Sequence, residues 1–358
     1  MKKPYSLLTV TILILTVFTA HAQSSSSNGG GFDQLIKSSP GDVTKLVQNY
    51  AEPLFKGFGT GLNGGWNNTA KTKKLLHFDL RISASGAFVP DMDKSFDVTK
   101  IGLSGHVTPA DPSNVIAPTI GGAKTDGPIM NINDDNGKKI GNFTMPKGQL
   151  PLIPAPNIQL TVGIFKNTDI TVRSTPTFNL PSNSGSIGVI GFGIKHDLIQ
   201  DFASKKKIIP FDLAIAINYN KITFSKTLSV QPDAGSQPAP GTEAADFSTQ
   251  HVDAHFSGFN VQAIISKKLL FFTPFLSVGY QTATSTFGIL GNYPITSTTP
   301  GQSAYYVTVS NPVSINETSI DGLRADVGFQ LNLAIFRIYA SYSLGQYQSF
   351  NGGIGLGF

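Results

Sequence analysis

The chain has 358 residues, of which 14% are charged and 40% apolar, with 37 Gly, 22 Pro and no Cys. Charge is scarce beside the ~25% of an average soluble domain, and Gly, Ser, Thr and Asn take its place. This composition excludes a helical bundle. The missing Cys excludes a disulfide scaffold, a thiolate metal site, a Cys nucleophile and a Cys-anchored lipoprotein. The net charge of +5 is weak and dispersed and gives no footing for nucleic acid.

Met1-Lys2-Lys3, the apolar run Leu7 to Ala20, and Ala20-His21-Ala22 form the three parts of a secretory signal peptide. The run is short of the roughly 18 apolar residues of a membrane helix. Export with cleavage after Ala22 is therefore expected. Residues 23–31, Ser- and Gly-rich, read as a flexible linker. A helix is expected over 39–50: Ser39 can cap it, Pro40 suits the first turn, and Asp42 faces the dipole. Val43, Leu46, Val47 and Tyr50 recur at helical spacing, and Pro53 is expected to end the helix. Residues 23–56 thus form a linker and a helical segment that either plugs a barrel through Leu46, Val47 and Tyr50 or rests beneath it in the periplasm.

Beyond Gly57 the pattern turns to period two. Leu76, Phe78, Leu80, Ile82 and Ala84 oppose His77, Asp79, Arg81, Ser83 and Ser85, and the same alternation runs through 157–164, 211–220, 322–333 and 336–345. These segments are about ten residues long, the length of a tilted membrane strand, where soluble strands average about 5–6. Twelve strands are expected, near 58–67, 75–88, 97–107, 157–165, 168–178, 185–197, 209–227, 247–266, 270–289, 314–334, 336–347 and 351–358, with ten or fourteen open. Counted from the N-terminus, the even connections are mostly tight (89–96, 166–167, 198–208, 267–269 and 335), and the odd ones include long stretches rich in Pro, Gly, Ser and Thr (108–156, 228–246, 290–313). That asymmetry belongs to a closed antiparallel transmembrane β-barrel, here over residues 57–358. The terminal alternation Ile354, Leu356, Phe358 resembles the recognition signal of outer-membrane barrel proteins, and the resemblance implies membrane insertion by the barrel-assembly machinery with Phe358 as the signal.

Taken together, the chain resembles outer-membrane β-barrels of Gram-negative bacteria. Within them it is similar to the broad FadL-like (long-chain fatty-acid transporter) group and its uncharacterised relatives. The likeness rests on the segment 32–56 ahead of the barrel, on Gly188 to Asp197, and on the turn Leu198 to Ile209 leading into Phe211-Asp-Leu-Ala-Ile-Ala. It implies a hydrophobic ligand and a fourteen-stranded barrel. The group's Asn-Pro-Ala element has no match in Asn49-Tyr50-Ala51-Glu52-Pro53.

All four Arg of the chain, Arg81, Arg173, Arg324 and Arg337, fall on polar strand faces together with Asp79, Asp169, Asp212 and Asp326. An Arg facing lipid at mid-membrane costs about 2–4 kcal/mol, so these groups are expected to face the lumen. There they form either a charged constriction or an ion-pair network that holds a narrow barrel together. His251-x-Asp253-x-His255 spans about 13 Å on a strand, too far for one ion to take both His. Gly59-x-Gly61-x-x-Gly64 matches a dinucleotide fingerprint only formally and reads as a glycine-rich first strand. The loop Asn131 to Gly137 lacks calcium ligands at the required positions. No metal, cofactor or catalytic constellation is expected. The expected setting is the outer membrane and its lipid. The expected function is passive passage or uptake of a small solute, hydrophobic ones included, through an unidentified ligand path. The alternative is a structural or adhesin-like barrel with a closed lumen and working external loops. A membrane-embedded hydrolase and a soluble exported β-sandwich are the remaining readings.

Overall fold

The computed structural model describes residues 39–133, 136–179, 185–202, 209–232, 234–297 and 305–358; the predicted signal peptide and linker lie outside them. Helix α1 (Pro40–Asn63) comes first, then strand β1 (Phe78–Phe88). Five short strands follow: β2 (Ser95–Asp97), β3 (Val107–Pro109), β4 (Ile116–Pro118), β5 (Ile129–Asn133) and β6 (Lys139–Thr144). Long strands resume with β7 (Leu152–Gly163), β8 (Thr168–Asn179), β9 (Ser186–Asp197) and β10 (Asp212–Thr227). After the two-residue β11 (Gln237–Pro238) come β12 (His251–Ser266) and β13 (Phe272–Leu290), then β14 (Asn292–Ser297) and β15 (Tyr305–Ser310). The chain ends with β16 (Val313–Leu333), β17 (Phe336–Leu344) and β18 (Ser349–Gly357).

Ten strands close into a barrel in the order β1-β18-β17-β16-β13-β12-β10-β9-β8-β7, and β1 completes it by pairing antiparallel with both β18 and β7. Closure leaves no sheet edge, the condition for strands at membrane depth. The count is ten rather than the expected twelve or the fourteen implied by the FadL-like resemblance. The expected strand 58–67 is the last part of α1 and the chain after it. The expected strand 97–107 belongs to an external lobe of small sheets, β2-β4 and β3-β5-β6. Losing two strands keeps the parity, so both barrel ends still lie with the short connections, 164–167, 198–211, 267–271 and 334–335. This end is the foot. The head carries the long connections 89–151, 228–250 and 291–312; with no barrel strand at 58–67 or 97–107, the expected tight turn 89–96 lies on this side instead and opens the first of them.

Pro53 does not end α1, which continues ten residues beyond it. A buried helix tolerates the one bond that Pro removes because packing on all sides, rather than propensity, holds it. The glycines near its end have a packing cause. A Cβ at Gly59 would stand 2.6 Å from the Ala283 Cβ of β13, and one at Gly61 would stand 2.5 Å from the Ala155 Cβ of β7. The helix therefore lies against both walls only because these positions carry no side chain.

The wall changes polarity along its height. On β10, Leu213, Ile215, Ile217 and Tyr219 face outward, while Ala214, Ala216, Asn218 and Asn220 face the lumen. Above Tyr219 the outward side chains become Lys221, Thr223, Ser225 and Thr227, and the inward ones Ile222 and Phe224. The same reversal occurs on β12 above Phe259, on β13 above Tyr280 and on β16 above Leu323. A greasy belt thus girds the foot half, bounded below by Phe78, Phe272 and Phe336 and above by Phe88, Tyr219 and Tyr280. From Phe78 to Phe88 the ten steps of ~3.4 Å at a tilt of ~40° rise ~26 Å, close to the ~25 Å apolar band of an outer-membrane barrel. Strands β10, β12, β13 and β16 continue above the belt and, with the external lobe, wrap α1 in an apolar core. That core includes Leu46, Phe55, Phe58, Phe224, Phe256, Phe287, Ile120 and Met130.

Candidate functional site

Helix α1 enters from the head. Its first turns meet the external lobe through Asp42, which accepts from the Ser104 backbone N–H at 3.0 Å, and through Lys45, which donates to the Gly102 carbonyl. Leu46 and Tyr50 are buried and Val47 packs at the edge of the same core. The Tyr50 hydroxyl donates to the Lys147 carbonyl at 2.9 Å, and burial pushes its pKa up to about 12. The Tyr347 hydroxyl, raised by burial and by Asp93, donates to the Asp93 carboxylate at 2.7 Å; Lys56 of the helix bonds the same carboxylate at 3.0 Å. These contacts bind helix, lobe and the β17–β18 connection into one body.

The helix ends near the top of the belt, and residues 64–77 run down through the lumen as irregular chain to the foot, where β1 begins. Irregular backbone at membrane depth cannot leave its polar groups unpaired, and a helix leaves its last carbonyls without partners. The lumen side chains answer both demands. Arg173, fully buried, donates to the carbonyls of Leu62 at 3.0 Å and Gly64 at 2.8 Å, to Gln159 at 3.0 Å, and stacks 3.8 Å from the Trp66 ring centre. Arg324 donates to the Thr60 carbonyl at 3.1 Å and pairs with Asp326 at 2.7 Å, and Asp326 in turn accepts from Ser277. Arg81 donates to the Gly65 carbonyl at 2.9 Å and stacks over Tyr339. Three guanidiniums therefore converge on the negative end of the helix dipole. Uncharged groups follow the same rule: Asn220 donates to Leu62, Asn260 to Asn63 and Gln159 to Trp66, each to a carbonyl.

Nearer the foot, Asp79 accepts from Arg337 at 2.6 Å and from Tyr339, and Asp169 pairs with Lys195 at 3.1 Å and accepts the Lys73 backbone N–H. Lys195 also donates to the carbonyls of Thr69 and Lys71. Seven of the eight charged candidates are thus gathered around the plug. Asp212 faces inward at the foot of β10, half-buried, and has no hydrogen bond or ion pair to the others. A cavity between Asn260, Gln262, Arg324 and Asp326 has no volume for a water molecule. The Arg partners were hidden in the sequence because they are backbone carbonyls of Thr60, Leu62, Gly64 and Gly65, at the end of a helix that reads as a strand and in the chain just after it; the one signal was the Gly- and Asn-rich composition of Gly64 to Asn68.

The remaining candidates lie elsewhere. His251, Asp253 and His255 face outward on β12 above the belt, with His255 Nε2 2.9 Å from Asp253. Among the described residues no group of three or more His, Cys, Asp or Glu is gathered for a metal. Phe358 packs on Phe78 with ring centres 5.3 Å apart.

Among solved structures, the outer membrane protease OmpT from Escherichia coli is similar at 7% identity and a TM-score of 0.32, covering 81% of this chain and 100% of that one. The attachment invasion locus protein Ail of Yersinia pestis is similar at 9% identity and a TM-score of 0.25, covering 80% and 100%. The translocator domain of the autotransporter NalP from Neisseria meningitidis is similar at 10% identity and a TM-score of 0.27, covering 88% and 97%. Overlaps this loose carry no argument, and the closed barrel stands on its own strand pairing. No curated protein matches the chain. A family model matches it over residues 1–358, and the chain belongs to that family, the family of unknown function DUF6588.

Proposed function

We propose that this protein is an integral outer-membrane barrel with a closed lumen that works by surface contact through its head. One observation carries the reading: the lumen is filled by the chain's own residues 40–77, whose backbone carbonyls are the acceptors of Arg81, Arg173, Arg324 and Lys195. Passage of a solute would require this segment to leave, stranding buried guanidiniums, each of whose bonds to a carbonyl is worth roughly 1.5–3 kcal/mol. The head, in contrast, is built to stay: it has an apolar core and ordered sheets rather than bare loops. Membrane residence is supported by the outward belt and by the reversal of polarity above it.

The test has two arms. Reconstituted wild-type protein is expected to give no swelling of liposomes in small sugars and no conductance in planar bilayers. Cells carrying the barrel with the external segment 237–246 replaced by a short Gly-Ser turn are expected to lose adhesion to a surface or partner cell at unchanged permeability. Steady conductance by the wild type, or unchanged adhesion, would overturn the reading. A folded band that shifts on boiling and needs detergent for extraction tests the membrane assignment separately.

A further inference from the structure

The foot spends large side chains where backbone geometry favours glycine. Left-handed backbone at the head falls on Gly102, Gly137, Gly235, Gly241 and Gly291, with Asn311 beside them. At the foot it falls on Leu76 (φ 62), Lys166 (φ 48), Asn167 (φ 57), Leu270 (φ 51) and Ala334 (φ 57), with no glycine among them. Leucine in this conformation is strained, and strain retained at an exposed tip points to a use for the side chain. Leu76 is 76% exposed, Leu270 87% and Phe165 65%.

Each of these apolar tips adjoins an exposed lysine: Lys74 before Leu75 and Leu76, Lys166 after Phe165, and Lys267 and Lys268 before Leu269 and Leu270. The tips lie just beyond the lower aromatic ring of Phe78, Phe272 and Phe336. On the membrane reading this is the headgroup layer of the leaflet on the foot side. There a leucine reaches acyl chains and a lysine, its stem lying along them, reaches phosphate. Basic residues at such a surface favour lipids with net negative charge. We infer that the foot is a phospholipid-anchoring rim that selects anionic headgroups. The inference rests on the membrane assignment above and not on what the head contacts.

The experiment is native mass spectrometry of the folded full chain in detergent with added phosphatidylglycerol or phosphatidylethanolamine. Wild type is expected to retain phosphatidylglycerol in preference. The variant K74Q/K166Q/K267Q/K268Q is expected to lose that preference by at least about tenfold, the scale of lysines at a charged surface. The head variant K100Q/K124Q/K138Q/K139Q, with the same change of charge, is expected to keep it. L76N/L270N separates folding from binding. Asparagine accepts left-handed backbone, so the boiling transition is expected to hold or rise while lipid retention falls. Equal retention of both lipids by the wild type, or retention of phosphatidylglycerol unchanged in K74Q/K166Q/K267Q/K268Q and L76N/L270N, would overturn the rim. A chain that stays in solution without detergent would instead overturn the membrane assignment beneath it.

Discussion

Belt and head are built from the same strands with opposite polarity. Along β10 the side chains keep alternating without a bulge, yet the apolar parity switches between Tyr219 and Ile222. On the membrane reading two solvents account for the outer change: lipid beside Ile217, water beside Ser225. The inner change follows from what fills the barrel. In the head the filler is a helix, whose backbone satisfies itself, so Phe224 and Phe256 can surround it. In the belt the filler is the helix's last turn, whose carbonyls have no intrahelical partner, and the irregular chain after it, so Asn220 and Arg173 donate to Leu62, and Arg173 and Lys195 to Gly64 and Thr69. The charged lumen is thus a property of the plug's backbone. No permeating ion is needed to account for it.

The largest expected effect comes from the head. Phe256 packs against Phe55 and Phe58 with ring centres 6.0 and 5.1 Å away. Phe256→Ala is expected to cost about 3–5 kcal/mol. Its signature is faster cleavage of the external connections by added protease, with the belt still migrating as a folded band before boiling. If head and belt open together, they are one cooperative unit and the division fails. Next comes a matched pair on the outer face of β10. Ile215→Arg is expected to destabilise by about 2–4 kcal/mol, as for a charge at mid-belt. Ser225→Arg, ten residues up the same face, is expected to fall within about 0.5 kcal/mol of wild type, as at an ordinary wet surface. Urea midpoints of the folded band read both, and equal losses would erase the boundary at Tyr219.

Much of the wall was legible in the sequence because alternation survives whichever face is apolar. The plug was less so. Gly57-Phe58-Gly59-Thr60-Gly61-Leu62 alternates small with large and so imitates a strand, although in the helix Gly57 and Gly61 meet β7 while Gly59 meets β13. The inward direction of the Arg side chains could be read from parity. Their partners could not, since a carbonyl acceptor leaves no mark on the residue type that bears it. The reversal above Tyr219 is illegible in the sequence for a similar reason: each half of β10 alternates cleanly, and only a filled lumen shows which parity is inside.

The smallest expected effect separates the halves by pH. Tyr50 and Tyr293 belong to the head, and burial raises each hydroxyl to about 12 from its ordinary 10. Between these values the unfolded chain ionises while the folded one stays neutral. The stability they contribute is therefore intact below pH 10 and is lost as pH rises through 12. Protease cleavage of the external connections is expected to accelerate over this window while the belt remains embedded. Tyr50→Phe loses the bond to Lys147, worth about 1 kcal/mol at neutral pH. It also removes the Tyr50 share of the alkaline loss, so its cleavage rate should climb less steeply than that of the wild type. A slope unchanged by the substitution would mean that Tyr50 ionises freely and that the helix is not sealed into the head.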